Sequence, residues 1–181
     1  MNVLRAVFTG LLLTLPVAAA AQDVKIDFDK AFDFSTVKTY SMKLGTSWGN
    51  DLSERRVLAE FDEAIAAKGW KKVDEAQANM HVVIHGASTT KRTASTFYSG
   101  GMGGYGYRYG GMGSMGTSST VVNEYQVGTV VVDMFEPNSK SLVFRGVAEG
   151  EISDNAERNA KRLDKASTKM FKDFPPVPKK K

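Results

Sequence analysis

The apolar and polar positions of this chain follow two periods, one typical of strands and one typical of helices. Residues 24–29 alternate strictly, which predicts a first strand. A second strand is predicted at residues 36–43. Residues 52–68 instead repeat apolar side chains every three and four positions, and this spacing predicts an amphipathic helix. Its apolar stripe consists of Leu58, Phe61 and Ile65.

The ends of this helix carry their own signals. Asn50 or Asp51 is placed to cap the first turn, because a short polar side chain can accept a hydrogen bond there. Gly69 is expected to end the helix, since glycine accepts the left-handed conformation of a C-terminal cap. Glu54 falls outside the apolar stripe and is expected to face solvent.

The second half of the chain is rich in strand patterns. A short strand is predicted at residues 71–74 and a longer one at residues 80–90. Residues 120–135 carry eight β-branched side chains, which predicts one long strand with a bulge at Gly128.

A turn at residues 136–139 precedes an antiparallel partner strand at residues 142–151. A final helix is predicted at residues 154–172. Its apolar stripe is Ala156, Ala160, Leu163, Ser167, Met170 and Phe174. The order β-β-α-β-β-β-β-α predicts an α+β fold, with an antiparallel or mixed sheet and two helices packed on one face.

The first 21 residues have the features of an export signal. Arg5 and the amino terminus form a short positive region, residues 6–15 are mostly apolar, and Ala19-x-Ala21 supplies the small residues that a signal peptidase requires. The apolar stretch is shorter than the roughly 18 to 20 residues that span a bilayer. We therefore expect a mature chain starting at Gln22 and a periplasmic protein, with association to the outer membrane left open.

Two features of composition narrow the class of protein. The chain has no cysteine, so disulfides cannot hold the fold and the lipid attachment of a bacterial lipoprotein is not expected. The net charge of +4 is small and partly reflects a basic tail at residues 177–181, so nucleic acid is not an expected partner. Residues 22–176 have the length of a single domain with its own core.

Several segments of the chain resemble a known family. They are residues 34–40 (FSTVKTY), 67–70 (AKGW), 128–133 (GTVVVD) with 142–146 (LVFRG), and 174–176 (FPP). In these segments the chain is similar to the family named domain of unknown function 4136, which comprises exported and lipid-anchored envelope proteins of Gram-negative bacteria. The resemblance implies an α+β fold and an envelope location. It implies no chemistry, because the family has no assigned reaction.

The two histidines, His81 and His85, have a four-residue spacing that is also found in helical metal sites. Here three β-favouring residues separate them, so they fall on one face of a strand about 13 Å apart. That distance is too long for a shared zinc ion with bonds of about 2.0 Å. We expect two ordinary, partly exposed histidines and no metal.

Residues 101–106 (GMGGYG) match the G-x-G-x-x-G pattern of dinucleotide sites. Such a site needs the pattern between a strand and the start of a helix, whereas more glycine and tyrosine follow here. Nine of the 17 residues at positions 100–116 are glycine, so such matches arise by chance. We expect no nucleotide and no other cofactor.

Asp133 and Arg145 lie on the two strands of the predicted hairpin, where an even register puts them on one face. A catalytic acid could occupy this place. The sequence puts no nucleophile or second carboxylate beside it, so a structural ion pair or simple solvent exposure is the favoured interpretation.

The segment at residues 98–117 combines glycine with tyrosine and methionine and holds a single charge. Dense glycine disfavours regular structure, which predicts a mobile loop between two strands. Tyrosine offers rigid contact area and methionine an adaptable apolar one. The segment is therefore either a tolerated insertion or a contact surface. Its candidate binding residues are Tyr98, Tyr105, Tyr107, Arg108 and Tyr109.

Three functions remain open from the sequence. The favoured one is a non-enzymatic protein that binds or scaffolds an envelope component through the tyrosine-glycine segment, the partner being an envelope protein, peptidoglycan or lipid headgroups. A carrier of a small ligand or lipid would need an apolar groove between sheet and helices. A hydrolase-like enzyme would need converging titratable groups, and no catalytic residue is predicted. The sequence leaves the oligomeric state open.

Overall fold

The element order along the chain is the predicted β-β-α-β-β-β-β-α. A computed structural model describes residues 23–99 and 117–176, apart from the side chains at positions 97–99 and 117–118. The helices are α1 (Asp51–Ala66) and α2 (Ala156–Met170). The strands are β1 (Asp23–Phe28), β2 (Thr39–Leu44), β3 (Lys71–Lys72), β4 (Met80–Ser99), β5 (Thr117–Phe135) and β6 (Leu142–Ile152).

The strands form one mixed sheet in the order β1-β6-β5-β4-β2-β3. The pairs β1–β6, β6–β5 and β5–β4 are antiparallel. β2 pairs parallel with both β4 and β3. Parallel neighbours need a crossover connection, and α1 supplies it between β2 and β3. The result confirms the α+β fold with a mixed sheet.

Both helices pack on the same face of the sheet and touch each other. The Ser167 hydroxyl of α2 donates a hydrogen bond to Glu60 of α1 at 2.5 Å. The ring of Phe171 lies 6.1 Å, centre to centre, from both Phe61 and Phe144. Fully buried side chains from the sheet complete this core; among them are Tyr40, Met80, Val82, Ile84, Val132 and Met134.

Helix α2 can approach the sheet closely because β6 has a glycine beneath it. A Cβ atom at Gly146 would lie 2.3 Å from the sulfur of Met170, far inside van der Waals contact. The thioether of a buried methionine therefore fills the space over the glycine backbone.

The predicted ends of α1 are confirmed, but one side of the helix differs from the prediction. Asn50 caps the first turn by accepting a hydrogen bond from the Ser53 amide, and Gly69 follows the helix with a φ of +88°. Leu58 is only half-buried, whereas Val57 is buried. The expectation that Glu54 faces solvent is wrong, because its carboxylate lies on the buried face.

The hairpin of β5 and β6 has the predicted pairing but no bulge at Gly128. The register runs unbroken through that residue, and the irregularity lies between Met134 and Phe135. Gly128 instead makes room for a neighbour, since a Cβ there would lie 3.0 Å from the Ile152 side chain. In the turn between β5 and β6, Lys140 has a positive φ of 56°.

The stripe predicted for α2 is buried only in its C-terminal half. Ser167, Met170 and Phe174 are buried, whereas Ala156 and Ala160 are exposed. An alanine presents a single methyl group and so gains little free energy from burial. Neither described helix is long and apolar enough to cross a membrane.

Candidate functional site

Strands β4 and β5 continue beyond the rest of the sheet as a two-stranded extension, which we call the arm and define as residues 91–99 paired with residues 117–125. β2 pairs with β4 only as far as Ile84, and β6 pairs with β5 only as far as Gln126. No third strand within the described parts of the chain accompanies the nine residue pairs of the arm. At about 3.4 Å per residue, the arm is about 30 Å long.

Both faces of the arm are open to solvent. On one face the Arg92 guanidinium lies 2.5 Å from the Glu124 carboxylate, and the hydroxyls of Thr96 and Thr120 lie 3.2 Å apart. Val122 is 57% exposed on the same face. A two-stranded ribbon with no buried face is only marginally stable in water, so the arm gains its order mainly from backbone pairing.

The arm corrects two predicted boundaries, because residues 98, 99 and 117, which were expected in a loop, belong to β4 and β5. The pattern at residues 80–90 predicted a strand that ends nine residues earlier than β4 does. The backbone of Tyr98 lies in β4. Its side chain and the other candidate binding residues, Tyr105, Tyr107, Arg108 and Tyr109, lie outside the described residues and stay a prediction.

A second candidate site lies on the sheet face opposite the helices. Asp133 and Arg145 are direct neighbours on β5 and β6. Arg145 donates from Nε and Nη2 to the two carboxylate oxygens of Asp133, both at 2.7 Å. Asp133 is buried, and its hydrogen bonds raise the pKa of Arg145 above the usual value. Both carboxylate oxygens are thus held in an ion pair, which fits the structural role favoured from the sequence.

The two histidines contact different neighbours on this face. The His81 ring nitrogen Nδ1 is 2.8 Å from the Ser41 hydroxyl. In His85, Nδ1 accepts a hydrogen bond from the Thr46 backbone amide at 3.1 Å, and Nε2 lies 3.9 Å from Asp133. Both side chains are half-buried on a strand, as predicted. No three potential metal-ligating side chains of residues 23–99 and 117–176 lie close enough together to hold an ion.

Two surface depressions differ from the apolar groove that a lipid carrier would use. One, of about 450 Å³, lies at the base of the arm, and the other, of about 370 Å³, lies near the turn after β5. The first is open and mainly polar; it is lined by Thr90, Glu124, Tyr125, Gln126, Glu151, Ile152, Ser153 and Asp154. The space between sheet and helices is occupied by the aromatic core.

Sequence reasoning missed the role of Glu54, which organises the loop before α1. Its Oε1 accepts hydrogen bonds from the Ser47 hydroxyl at 2.6 Å and from the backbone amides of Trp48 and Gly49. The Ser47 hydrogen bond is the main cause of a lowered Glu54 pKa, and burial opposes it. The spacing to Phe61 was a usable signal, because a residue seven positions earlier shares the same helix face.

The loop held by Glu54 packs on β4 at Gly86, within the body of the sheet and five positions before the arm begins. A Cβ atom at Gly86 would lie 1.9 Å from the Trp48 ring, so only glycine fits beneath that ring. The indole N–H of Trp48 donates to the Ser53 hydroxyl at 2.7 Å. This loop therefore covers the part of β4 that precedes the arm.

Solved structures share the fold at low sequence identity. The dodecamer of a PelC variant from Paraburkholderia phytofirmans has a TM-score of 0.51 and 9% identity, and the alignment covers 83% of this chain and 95% of that one. A PDZ domain protein from Parabacteroides distasonis has a TM-score of 0.50 and 14% identity, covering 86% of this chain but 36% of that one. At these identities the likeness concerns the fold alone.

A third structure agrees with the resemblance noted in the sequence. It is a protein of the domain of unknown function 4136 family from Bacteroides thetaiotaomicron, with a TM-score of 0.50, 14% identity, and coverage of 85% of this chain and 96% of that one. A search of curated protein sequences finds no match. The family model itself matches residues 24–176, from β1 to the end of the segment after α2. With nearly the whole described fold inside that match, this chain belongs to the family named domain of unknown function 4136.

Proposed function

We propose that this protein is a non-enzymatic component of the bacterial cell envelope that binds or scaffolds another envelope component through the end of its arm. The arm is the observation that carries the proposal. Its outermost pair, Ser99 and Thr117, lies about 30 Å beyond the body of the sheet. A contact made at that end can reach a partner without disturbing the core.

The buried acidic groups of the body support a binding role over a catalytic one. Asp133 has both oxygens engaged by Arg145, and Glu54 accepts three hydrogen bonds from its own loop. A general acid or base must be free to exchange a proton with substrate. These two carboxylates instead serve the fold. The dodecamer formed by one protein of the same fold fits a scaffolding role.

The envelope location is part of the proposal and has a direct test. Export with cleavage after Ala21 predicts a protein that starts at Gln22 and is recovered in the periplasmic fraction without detergent. Intact-mass measurement of the exported protein decides this. A retained Met1 or a lipid-sized increment in mass would contradict it.

Binding is tested against three separate probes: peptidoglycan sacculi, vesicles of phosphatidylethanolamine with phosphatidylglycerol, and detergent-solubilised envelope proteins. The test variant replaces Tyr105, Tyr107 and Tyr109 by serine. The control, Leu142→Ser, removes an exposed apolar side chain from the body instead. We expect one probe to bind the wild type and the control, with at least a tenfold loss in the test variant. Equal binding by all three proteins would place the contact surface elsewhere.

A further inference from the structure

We propose that the loop at residues 45–50 is held on β4 by a pH-sensitive contact, which loosens when His85 takes up a proton. This is the loop that places the Trp48 ring over Gly86. Acidification therefore weakens the cover on this part of β4. The inference goes beyond the proposed function, because it concerns the body of the sheet and does not depend on which component the arm contacts.

The loop contacts β4 through both backbone and side chains. The Gly86 amide donates to the Thr46 carbonyl oxygen at 3.3 Å, and the Trp48 ring lies over Gly86. The Nδ1 atom of His85 accepts from the Thr46 backbone amide at 3.1 Å and lies 2.9 Å from the Thr46 hydroxyl. The His85 ring also fills the space over Gly45, where a Cβ atom would lie 2.5 Å from Nδ1. Among these groups, histidine is the one that ordinarily titrates near neutral pH.

The backbone amide of Thr46 makes this contact sensitive to protonation. A backbone N–H can only donate, so Nδ1 of His85 has to present its lone pair, and the proton of the neutral ring lies on Nε2. An imidazolium ion carries a proton on both nitrogens. Its Nδ1 proton then meets the amide proton of Thr46, and the hydrogen bond is lost. The stabilisation is thus present above the ordinary histidine titration at about pH 6.5 and is lost as the pH falls through it.

The other histidine of β4 provides an internal contrast. The Nδ1 atom of His81 lies 2.8 Å from the Ser41 hydroxyl. A hydroxyl can donate or accept by rotating, so this contact survives when His81 becomes charged. Both histidines are half-buried, and they differ in the kind of partner at Nδ1. Acid should therefore break the contact of His85 and keep that of His81.

The charged groups around His85 do not replace the lost hydrogen bond. Asp133 on β5 lies 3.9 Å from Nε2, but both its oxygens accept from Arg145 of β6, and this guanidinium balances its charge. The charged residue of β2 is Lys43, and its ammonium pairs with Glu75 at 2.9 Å. The loop itself has no charged side chain. Neither the neighbouring strands nor the loop thus offers the imidazolium an unpaired carboxylate.

The Gly86 amide reports directly on the loop, because it donates to Thr46. Hydrogen exchange followed by NMR gives its protection factor, which compares its exchange rate with that of the unfolded chain at the same pH. Between about pH 7.5 and about pH 5.5, on either side of the histidine titration, we expect protection in the wild type to fall about fivefold, as for one ordinary hydrogen bond. The pKa of Glu54 lies below its usual value, so the loop keeps its contact with α1 over this range.

Two glutamine variants separate His85 from general effects of acid. His85→Gln replaces the ring by an amide that does not titrate, so the protection of Gly86 should be the same at both pH values. His81→Gln is the matched control, because it removes the other histidine of the same strand, and it should show the same fall as the wild type. Unchanged protection in the wild type, a fall that persists in His85→Gln, or a fall that disappears in His81→Gln would each overturn the proposal.

A second measurement uses the wild type alone and covers the case in which His85→Gln does not fold, judged by circular dichroism. The NMR signals of the Thr46 amide and the His85 ring should move over the same pH interval. A Thr46 signal that stays in place, or that follows only the His81 ring, would contradict the proposal. Binding through the arm is measured at about pH 7.5, where the loop is closed. Intact binding with a loop insensitive to pH would reject this inference alone, whereas a pH-sensitive loop without any binding would reject the proposed function alone.

Discussion

Strands β4 and β5 each pass through two environments, and the contrast separates what folds this protein from what it can contact. In the body, β4 buries Met80, Val82 and Ile84 against the helices. In the arm, every described side chain of the same strand is exposed or half-buried. Burial of one face specifies strand register strongly, whereas a ribbon with two wet faces relies on backbone pairing. The body therefore provides the stability of the fold, and the arm provides solvent-exposed surface that other molecules can contact.

The last residue of β4 covered by the loop before α1 is Gly86, four residues before Thr90 and the end of the body; we call this position the junction. Trp48 occupies the space over this glycine, and Glu54 holds the loop that bears Trp48. Beyond this glycine, every described side chain of β4 is exposed or half-buried. The comparison therefore predicts that sensitivity to substitution falls along β4 from the core, through the junction, to the tip.

The largest expected effect is in the core. Phe61→Ala removes a fully buried ring that packs edge to face on Phe171, so we expect a loss of about 3 to 5 kcal/mol in the free energy of unfolding. Denaturant unfolding measures this loss. Leu52→Ala, on the same helix but 60% exposed, is the control and should change stability by less than about 1 kcal/mol. Similar losses in both would mean that α1 packs with a different face.

The junction should show an intermediate effect. Gly86→Ala forces a methyl group into the Trp48 ring, and overpacking of this kind typically costs about 1 to 3 kcal/mol. In the control, Gly128→Ala, the new methyl group meets only the end of the Ile152 side chain at 3.0 Å, so the loss should be smaller. Denaturant unfolding of both variants measures the two losses in the free energy of unfolding. The comparison requires that the two variants have the same m-value, and Gly86→Ala should show the larger loss.

The body was largely predictable from the sequence because its signals are local. Alternation predicted β1, and the turn at residues 136–139 predicted β6 as the antiparallel partner of β5. Helical spacing predicted α1, and Gly69 marked its end through its required backbone conformation. The Asp133–Arg145 pair followed from an even register across one hairpin. These signals lie within one element or across one turn, so neighbouring residues carry enough information. They do not fix burial as well, since Ile26 on the apolar face of β1 is 44% exposed.

The misplaced features depend on contacts that are distant in sequence. Glu54 has the spacing of a buried residue, but a carboxylate is expected outside until its loop donors are known. Gly128 was assigned a bulge, whereas it accommodates Ile152 from another strand. The sequence of the arm does not alternate between apolar and polar residues, because neither of its faces is buried. Its strands became evident only from their pairing.

The loop before α1 predicts a dependence of stability on pH. The pKa of Glu54 lies below its usual value of about 4.5 in the folded protein, mainly because Ser47 donates to the carboxylate. The stabilisation is therefore present above pH about 4.5 and is lost as the pH falls through the lowered pKa. Glu54→Gln should melt below the wild type at pH 7, and the difference should shrink at pH 3. Glu63→Gln, exposed on the same helix, is the control; an equal difference at both pH values would contradict the prediction.

The smallest effect on stability is expected at the end of the arm. Replacing residues 100–116 by a short Gly-Ser linker keeps Ser99 and Thr117 paired and shortens a closure whose entropy depends only logarithmically on length. The free energy of unfolding, measured with denaturant, should stay within about 1 kcal/mol of the wild type. A second variant removes the whole arm and joins Thr90 to Gln126, which are already paired, through an Asn-Gly turn. It should remain equally stable, and both variants should lose envelope binding. Unfolding of the armless variant would mean that the arm supports the body, and the two regions would no longer be separable.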